Sequence, residues 1–193
     1  MREWLEEQGL HSNHQKEKSV FWQNLRKNLR KRDENWMSEK FFHTELKIQI
    51  EKIANDSKKY KKINVERKIP IPHPNQELVF HYKPELNLIT KMGKKIIFEI
   101  LDDQINDYNL ILADIIQCYL LDNVTKVFFI SKDLEGYNMT RKLSRIVGSI
   151  LEEKGFFKNE IPEVFVYTIS YEEVQSGESQ NILLGFAKKD NWG

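Results

Sequence analysis

Apolar and polar positions alternate along the chain with two periods, one helical and one extended, and their order predicts an α/β fold. Phe42, Leu46, Ile50 and Ile53 recur at helical spacing behind Ser38, a predicted cap, and Asn55-Asp56-Ser57 closes that helix. Ile63 to Ile71 reads as a strand broken by Pro70, Pro72 and Pro74, and Leu78 to Thr90 as a second extended segment. Lys91-Met92-Gly93-Lys94 has hairpin-turn chemistry, and Lys95 to Leu101 is the third strand. Tyr108 to Leu121 is apolar nearly all round, as in a helix buried on several sides. Lys126 to Ile130 has the unbroken hydrophobic run of a central parallel strand. Met139 to Lys154 is an amphipathic helix capped by Asn138, with Leu143, Ile146, Val147, Ile150 and Leu151 inward and Gly155 at its end. Val164 to Ile169 returns as a strand, which implies a parallel crossover. Ser170 caps a short helix, and Ile182-Leu183-Leu184 fits either a last strand or a helix turn. The expected fold class is α/β, a mixed central sheet flanked by helices, in one domain over residues 36–193.

Residues 1–35 read as a helical, basic N-terminal appendage. Ser19 caps a helix to about Arg32, in which Phe21, Leu25 and Leu29 form one stripe. Arg26, Lys27, Arg30 and Lys31 crowd its C-terminal half, and Lys58, Lys59 and Lys61 surround Tyr60 further on. Each cluster is either a solvated face or a surface that tracks nucleic-acid phosphates, with Tyr60 available for base stacking. Composition limits the choice. Hydrophobic residues at 40% and charged residues at 31% of 193 describe an ordered globular chain. Lys+Arg 30 against Asp+Glu 29 leaves no global basic field, so affinity for nucleic acid must come from local clusters. The one cysteine, Cys118, forms no internal disulfide, has no zinc-site spacing around it, and reads as a small buried hydrophobe. No apolar run reaches membrane-span length, and Met1 to Glu7 is too acidic for a secretory signal. An intracellular location, cytoplasmic or nucleoid/nuclear, is therefore expected.

Two glutamates carry the chemistry. In Lys95-Ile96-Ile97-Phe98-Glu99-Ile100-Leu101, alternation places Ile97, Glu99 and Leu101 on one face and Ile96, Phe98 and Ile100 on the other. Neither face is polar, so burying Glu99 costs several kcal/mol unless a cation or donors meet it. Glu85 lies within the preceding extended segment, where alternation turns it and Asn87 away from Leu86 and Leu88, and a hairpin through Gly93 brings it beside Glu99. Paired carboxylates repel unless a divalent ion bridges them, and an all-oxygen set favours Mg²⁺ or Mn²⁺. The competing reading is a pair of exposed glutamates on an edge hairpin.

Pro84-Glu85, thirteen intervening residues and Glu99 resemble the PD…(D/E)XK pattern of the restriction-endonuclease-like nuclease superfamily. The order helix, three strands, helix, strand over about Glu39 to Ser131 is similar to that family's core (α-β-β-β-α-β), with the later helix and strand as an extension. The resemblance implies that Glu85 and Glu99 hold one or two Mg²⁺ or Mn²⁺ ions that activate water at a phosphodiester. It also implies a glutamate from the first core helix, for which Glu45 is the best match and Glu51 a weaker one. The motif lysine two residues after Glu99 is replaced by Leu101. A lysine then reaches in from elsewhere, with Lys83 first and Lys68, Lys95 and Lys132 behind it, or the site is degenerate. Asp102, Asp103 and Gln104 follow the strand and either add ligands or cap the next helix. Gln117 reads as an ordinary buried polar contact.

Two function classes follow. The first is a metal-dependent nuclease that hydrolyses phosphodiester bonds, in DNA ahead of RNA and at branched or duplex ends, with a homodimer able to reach two strands. The second is a catalytically degenerate module on the same fold that binds nucleic acid or a protein partner without cleavage. Leu101 favours the second.

Overall fold

The structure, a computed structural model, describes residues 40–71, 80–101, 108–155 and 161–192. The chain divides into two units between Phe41 and Phe42. The predicted basic helix with Arg26, Lys27, Arg30 and Lys31 lies outside the described residues, as do Asp102, Asp103 and Gln104. In chain order the elements are α1 (40–57), β1 (Tyr60–Val65), β2 (Ile69–Ile71), β3 (Phe80–Tyr82), β4 (Leu86–Thr90), β5 (Lys95–Leu101) and α2 (Tyr108–Leu120). They continue with β6 (Val124–Ser131), α3 (Leu134–Glu153), β7 (Glu163–Thr168), α4 (Tyr171–Ser176) and α5 (Ser179–Lys189).

Five strands form one mixed sheet in the order β1-β4-β5-β6-β7. β4 runs antiparallel to both β1 and β5, whereas β5, β6 and β7 run parallel, joined by α2 and α3. This is the α/β class expected, a mixed sheet flanked by helices. The period of two in β5 sorts its side chains as anticipated. Ile96, Phe98 and Ile100 enter one core with Phe42, Leu46 and Ile50 of α1 and with α4 and α5. Ile97 and Leu101 enter a second core with Ile111, Ile115 and Cys118 of α2 and Val147 of α3. Each fully buried large side chain contributes about 1.5–3 kcal/mol through burial, so the sheet is held from both faces. No helix among the described residues is long and apolar enough to cross a membrane.

The β4–β5 hairpin sets up the candidate site, and its turn is local chemistry. Gly93 takes φ +81, and its N–H donates to Thr90 O at 3.0 Å. Registration then follows, Leu86 opposite Phe98 and Asn87 opposite Ile97.

Several boundaries differ from expectation. The strand expected over Ile63 to Ile71 ends at Val65, because Glu66 turns the chain at φ +46. Ile69–Ile71 instead pairs with Phe80–Tyr82 in a separate two-stranded sheet, where Pro70 lacks an N–H to donate. The second extended segment is likewise interrupted at Lys83-Pro84-Glu85, again by a proline. Tyr60 to Lys62 belong to β1 rather than to a loop, and Lys59 Nζ donates to Asn191 Oδ1 at 3.0 Å. α3 starts five residues earlier than expected, because Asp133 and not Asn138 caps it by accepting from Gly136 N at 2.8 Å. Its buried face is Gly136, Thr140, Ser144 and Val147, small residues that allow close packing, while Ile146 and Ile150 are about half exposed (46% and 51%). α2 buries Ile111, Ile115 and Cys118 but leaves Tyr108, Leu110 and Leu120 exposed, so it is covered on one side only. Ile182 to Leu184 are helical, within α5. Ser170 does cap α4, in a full capping box with Glu173.

Candidate active site

Glu85 and Glu99 are brought together as the hairpin register requires. Glu99 is 6% exposed and receives a hydrogen bond from the backbone N–H of Glu85. The Tyr82 hydroxyl donates to Glu99 Oε1 and lies 3.3 Å from Cys118 Sγ. Burial pushes the Glu99 carboxyl well above the usual range, and the charges of Asp114 and Glu85 push the same way; the Tyr82 and Glu85 donors only partly oppose this. Burial thus favours the neutral form of Glu99, which is roofed by the small β2–β3 sheet through Tyr82.

Glu85 meets different partners. Lys47 Nζ, from α1, lies 2.8 Å from Glu85 Oε2, and His43 Nδ1 lies 3.8 Å from Oε1. Glu85 Oε2 makes no aligned hydrogen bond, so its contact with Lys47 is an ion pair. His43 and Lys47 are four residues apart and so share one helix face. Lys47 also donates to Glu66 Oε1 at 2.5 Å, and Lys83 donates to Glu66 Oε2 at 2.9 Å. Burial disfavours the Lys47 ammonium, but the Glu66 and Glu85 carboxylates outweigh it and hold its pKa above the ordinary lysine value. The same two lysines, Lys47 first, draw the Glu66 carboxyl down to about 2.

The predicted site residues therefore separate. Glu85 and Glu99 are neighbours, and Lys83 reaches only the rim, through Glu66. Glu45 is turned away. It lies two positions from both His43 and Lys47, about 200° around the helix, and its Oε1 accepts from Gln49 Nε2 at 3.0 Å. Gln49 Oε1 in turn accepts from Ser179 Oγ at 2.9 Å. Leu101, in the motif-lysine position, is 2% exposed inside the second core. Lys58, just before β1, and Lys61, within it, are exposed at the edge strand of the sheet, two strands from β5. Lys47, Tyr82 and Asp114 were not among the expected site residues. Of these Asp114 had a visible signal, as the one charged side chain in Tyr108–Leu120.

The donors fit a hard cation in character. All are oxygens, and Glu99 has no cation partner among the described residues. On the same face, in register with Ile97, Asn87 is 3% exposed with no hydrogen-bond partner for its Oδ1. Among the described residues no three His, Cys, Asp or Glu side chains converge as a metal cage. Mg²⁺ does not need one, since it is commonly held by one or two carboxylates and keeps several waters.

Asp114 gives a pH-dependent prediction. Burial first, then the Glu85 charge, pushes its carboxyl up from 3.8 to about 6. A folded-state pKa above the unfolded value stabilises fully below 3.8, and this contribution is lost as pH rises through about 6. Above that pH the folded chain carries a costly ionised group. Asp114→Asn is expected to stabilise by ~1 kcal/mol near pH 7.5, after discounting for partial exposure, and hardly at all near pH 4. Urea unfolding at both pH values checks this, and equal changes at the two would refute it. No protein-family model, no curated protein and no solved structure matches this chain.

Proposed function

We propose that the chain is a metal-dependent nuclease of the PD-(D/E)XK type, acting inside the cell on DNA ahead of RNA, with Lys47 in place of the missing motif lysine. One observation carries the reading: the Lys47 ammonium stands 2.8 Å from Glu85, whose own backbone N–H binds the Glu99 carboxyl. A cation donor beside two acids, one just before β4 and one on the adjacent β5, resembles the set that phosphodiester hydrolysis uses, although the lysine arrives from a helix. Glu85 and Glu99 would hold Mg²⁺ or Mn²⁺, with the Asn87 oxygen in reserve. Such an ion, when bound, polarises the phosphate and makes water a stronger nucleophile. Lys47, released from Glu85 by that ion, would bind a scissile-phosphate oxygen, and Glu66 would keep it charged and aimed. Burial and the neighbouring acids disfavour the ionised Glu99 that a cation needs, so metal binding should strengthen with rising pH.

A second reading, the degenerate module that binds nucleic acid or a protein partner without cutting, has its own support. Leu101 is core, and Lys47 already neutralises Glu85. The experiment that separates the two uses labelled duplex, single-stranded and four-way-junction DNA with Mg²⁺, Mn²⁺ or EDTA, beside Glu99→Gln and Glu85→Gln. Thermal unfolding with and without metal is run on the same proteins. Metal-dependent cleavage, and a metal-induced rise in Tm, both abolished by either substitution, support the nuclease. Salt-sensitive DNA binding with neither effect would leave only the module.

A further inference from the structure

The two edges of the sheet are treated in opposite ways. At the β1 edge the chain places Lys61 and Lys62 in the strand, Lys58 and Lys59 just before it, and a register shift between Tyr60 and Lys62. Charges and irregular pairing are how proteins keep an edge from recruiting another strand. The β7 edge has such protection only at its start, where Pro162 precedes the exposed Glu163. After Glu163 it reads Val-Phe-Val-Tyr-Thr, with no lysine, no proline and an unbroken register against β6. No strand among the described residues pairs with its other side. Val164, Phe165 and Val166 stay only half-buried although they belong to the sheet.

A groove of about 670 Å³ follows this edge, and Tyr137, Arg141, Arg145 and Glu152 of α3 line it together with Val166 and Tyr167. α3 carries the chain back from the end of β6 to the start of β7. Arg141 and Arg145, near its middle, therefore lie nearer the end of β7 than Glu152, which is in its last turn and flanks the start. The Arg-to-Glu order along the groove is not set by the helix dipole, which acts at the terminal turns and there meets Glu135 first and Glu152 last. It suits a twofold instead. A second β7 laid antiparallel on the first sets the arginine end of each groove against the glutamate end of the other.

We propose that β7 pairs with β7 of a second copy of this chain across a twofold axis, giving a continuous ten-stranded sheet with Arg145 of each copy facing Glu152 of the other. Main-chain hydrogen bonds supply the pairing, and the flanking charges fix its antiparallel sense. This inference is independent of the nuclease reading.

Sedimentation equilibrium of the full chain, with hydrogen exchange followed at β7, tests it. The expected result is a reversible dimer whose β7 amides lose protection on dilution. Arg145→Glu and Glu152→Arg are surface changes, and each should weaken the dimer by about tenfold or more, while the two together restore it to within about threefold. A monomer up to ~100 µM, a dimer indifferent to both reversals, or β7 exchange that ignores concentration would each overturn the proposal.

Discussion

Lys47→Ala is expected to lower metal-dependent cleavage by about 10²–10³-fold while leaving the metal-induced rise in Tm in place. The argument runs from position. Among the described residues Lys47 stands at 2.8 Å from Glu85 and His43 at 3.8 Å, and Leu101, buried in the second core, cannot replace the lysine. On the nuclease reading, removing the ammonium would take away the group that binds the phosphate but keep both acids that would hold the metal. Lys47→Arg is a sharper variant, because it restores both ion pairs with different reach and should recover stability more than rate. A stability change accompanies the alanine variant and has its own pH signature. The Glu66 carboxyl, held at about 2, contributes stability above its ordinary 4.5, and that contribution is lost as pH falls through about 2. Glu66 is 43% exposed, so screening keeps its share small. The deficit of Lys47→Ala should therefore be widest at neutral pH and close between pH 4.5 and 2. Kinetics on cut DNA and urea unfolding across that range check the two halves separately. Full cleavage by the alanine variant would remove Lys47 from the chemistry. A deficit that persists at pH 2 would remove Glu66 from its stability.

How far the sequence reveals this site depends on whether the information is local. β5 is legible because seven residues carry their own period, and both its buried faces and the depth of Glu99 follow from alternation. The hairpin is legible because Gly93 dictates a turn, and the turn fixes which residue opposes Glu99. Lys47 is not legible. It sits on the helix that was expected to supply Glu45, two positions along, and only the packing of Phe42, Leu46 and Ile50 decides which face of α1 meets Glu85. A rotation of about 200° separates the two candidates, and no pattern in α1 alone sets it against a strand end nearly forty residues on. Tyr82 was hidden for a related reason. Prolines mark breaks, but they do not show that the residues between them leave the main sheet and fold back over Glu99 as β2 and β3. The start of α3 was missed because Asp133 and Asn138 are both good caps, and Leu134, the first helical residue, is 66% exposed and adds nothing to an inward stripe.

The support beneath the site predicts the second large effect, a loss of about 3–5 kcal/mol of stability for Phe128→Ala. Phe128 is fully buried at the middle of β6, opposite Phe98 of β5 and Phe165 of β7 in register. Its ring stacks on both, with centroids 4.8 Å away and interplanar angles of 16° and 14°. Trp192 closes over the pair, with its ring 4.8 Å from Phe98 and 5.7 Å from Phe128. Three strands are thus tied by one row of rings, and alanine would leave a cavity that close-packed neighbours cannot collapse to fill. Phe128→Leu keeps most of the volume and should cost well under half as much. The next residue, Phe129, opposes Glu99 across β5 and β6 and faces the other core. A void at 128 therefore loosens the backbone on which Glu99 is set without touching the acid itself. Cleavage should fall only as the folded fraction falls, so activity measured well below the variant's Tm should stay within about twofold of the parent. Denaturant unfolding supplies the stability, and an unchanged m-value shows that the native state, not the unfolded one, has been altered. An alanine variant that loses under ~1 kcal/mol would mean that the aromatic row is not what binds the three strands together.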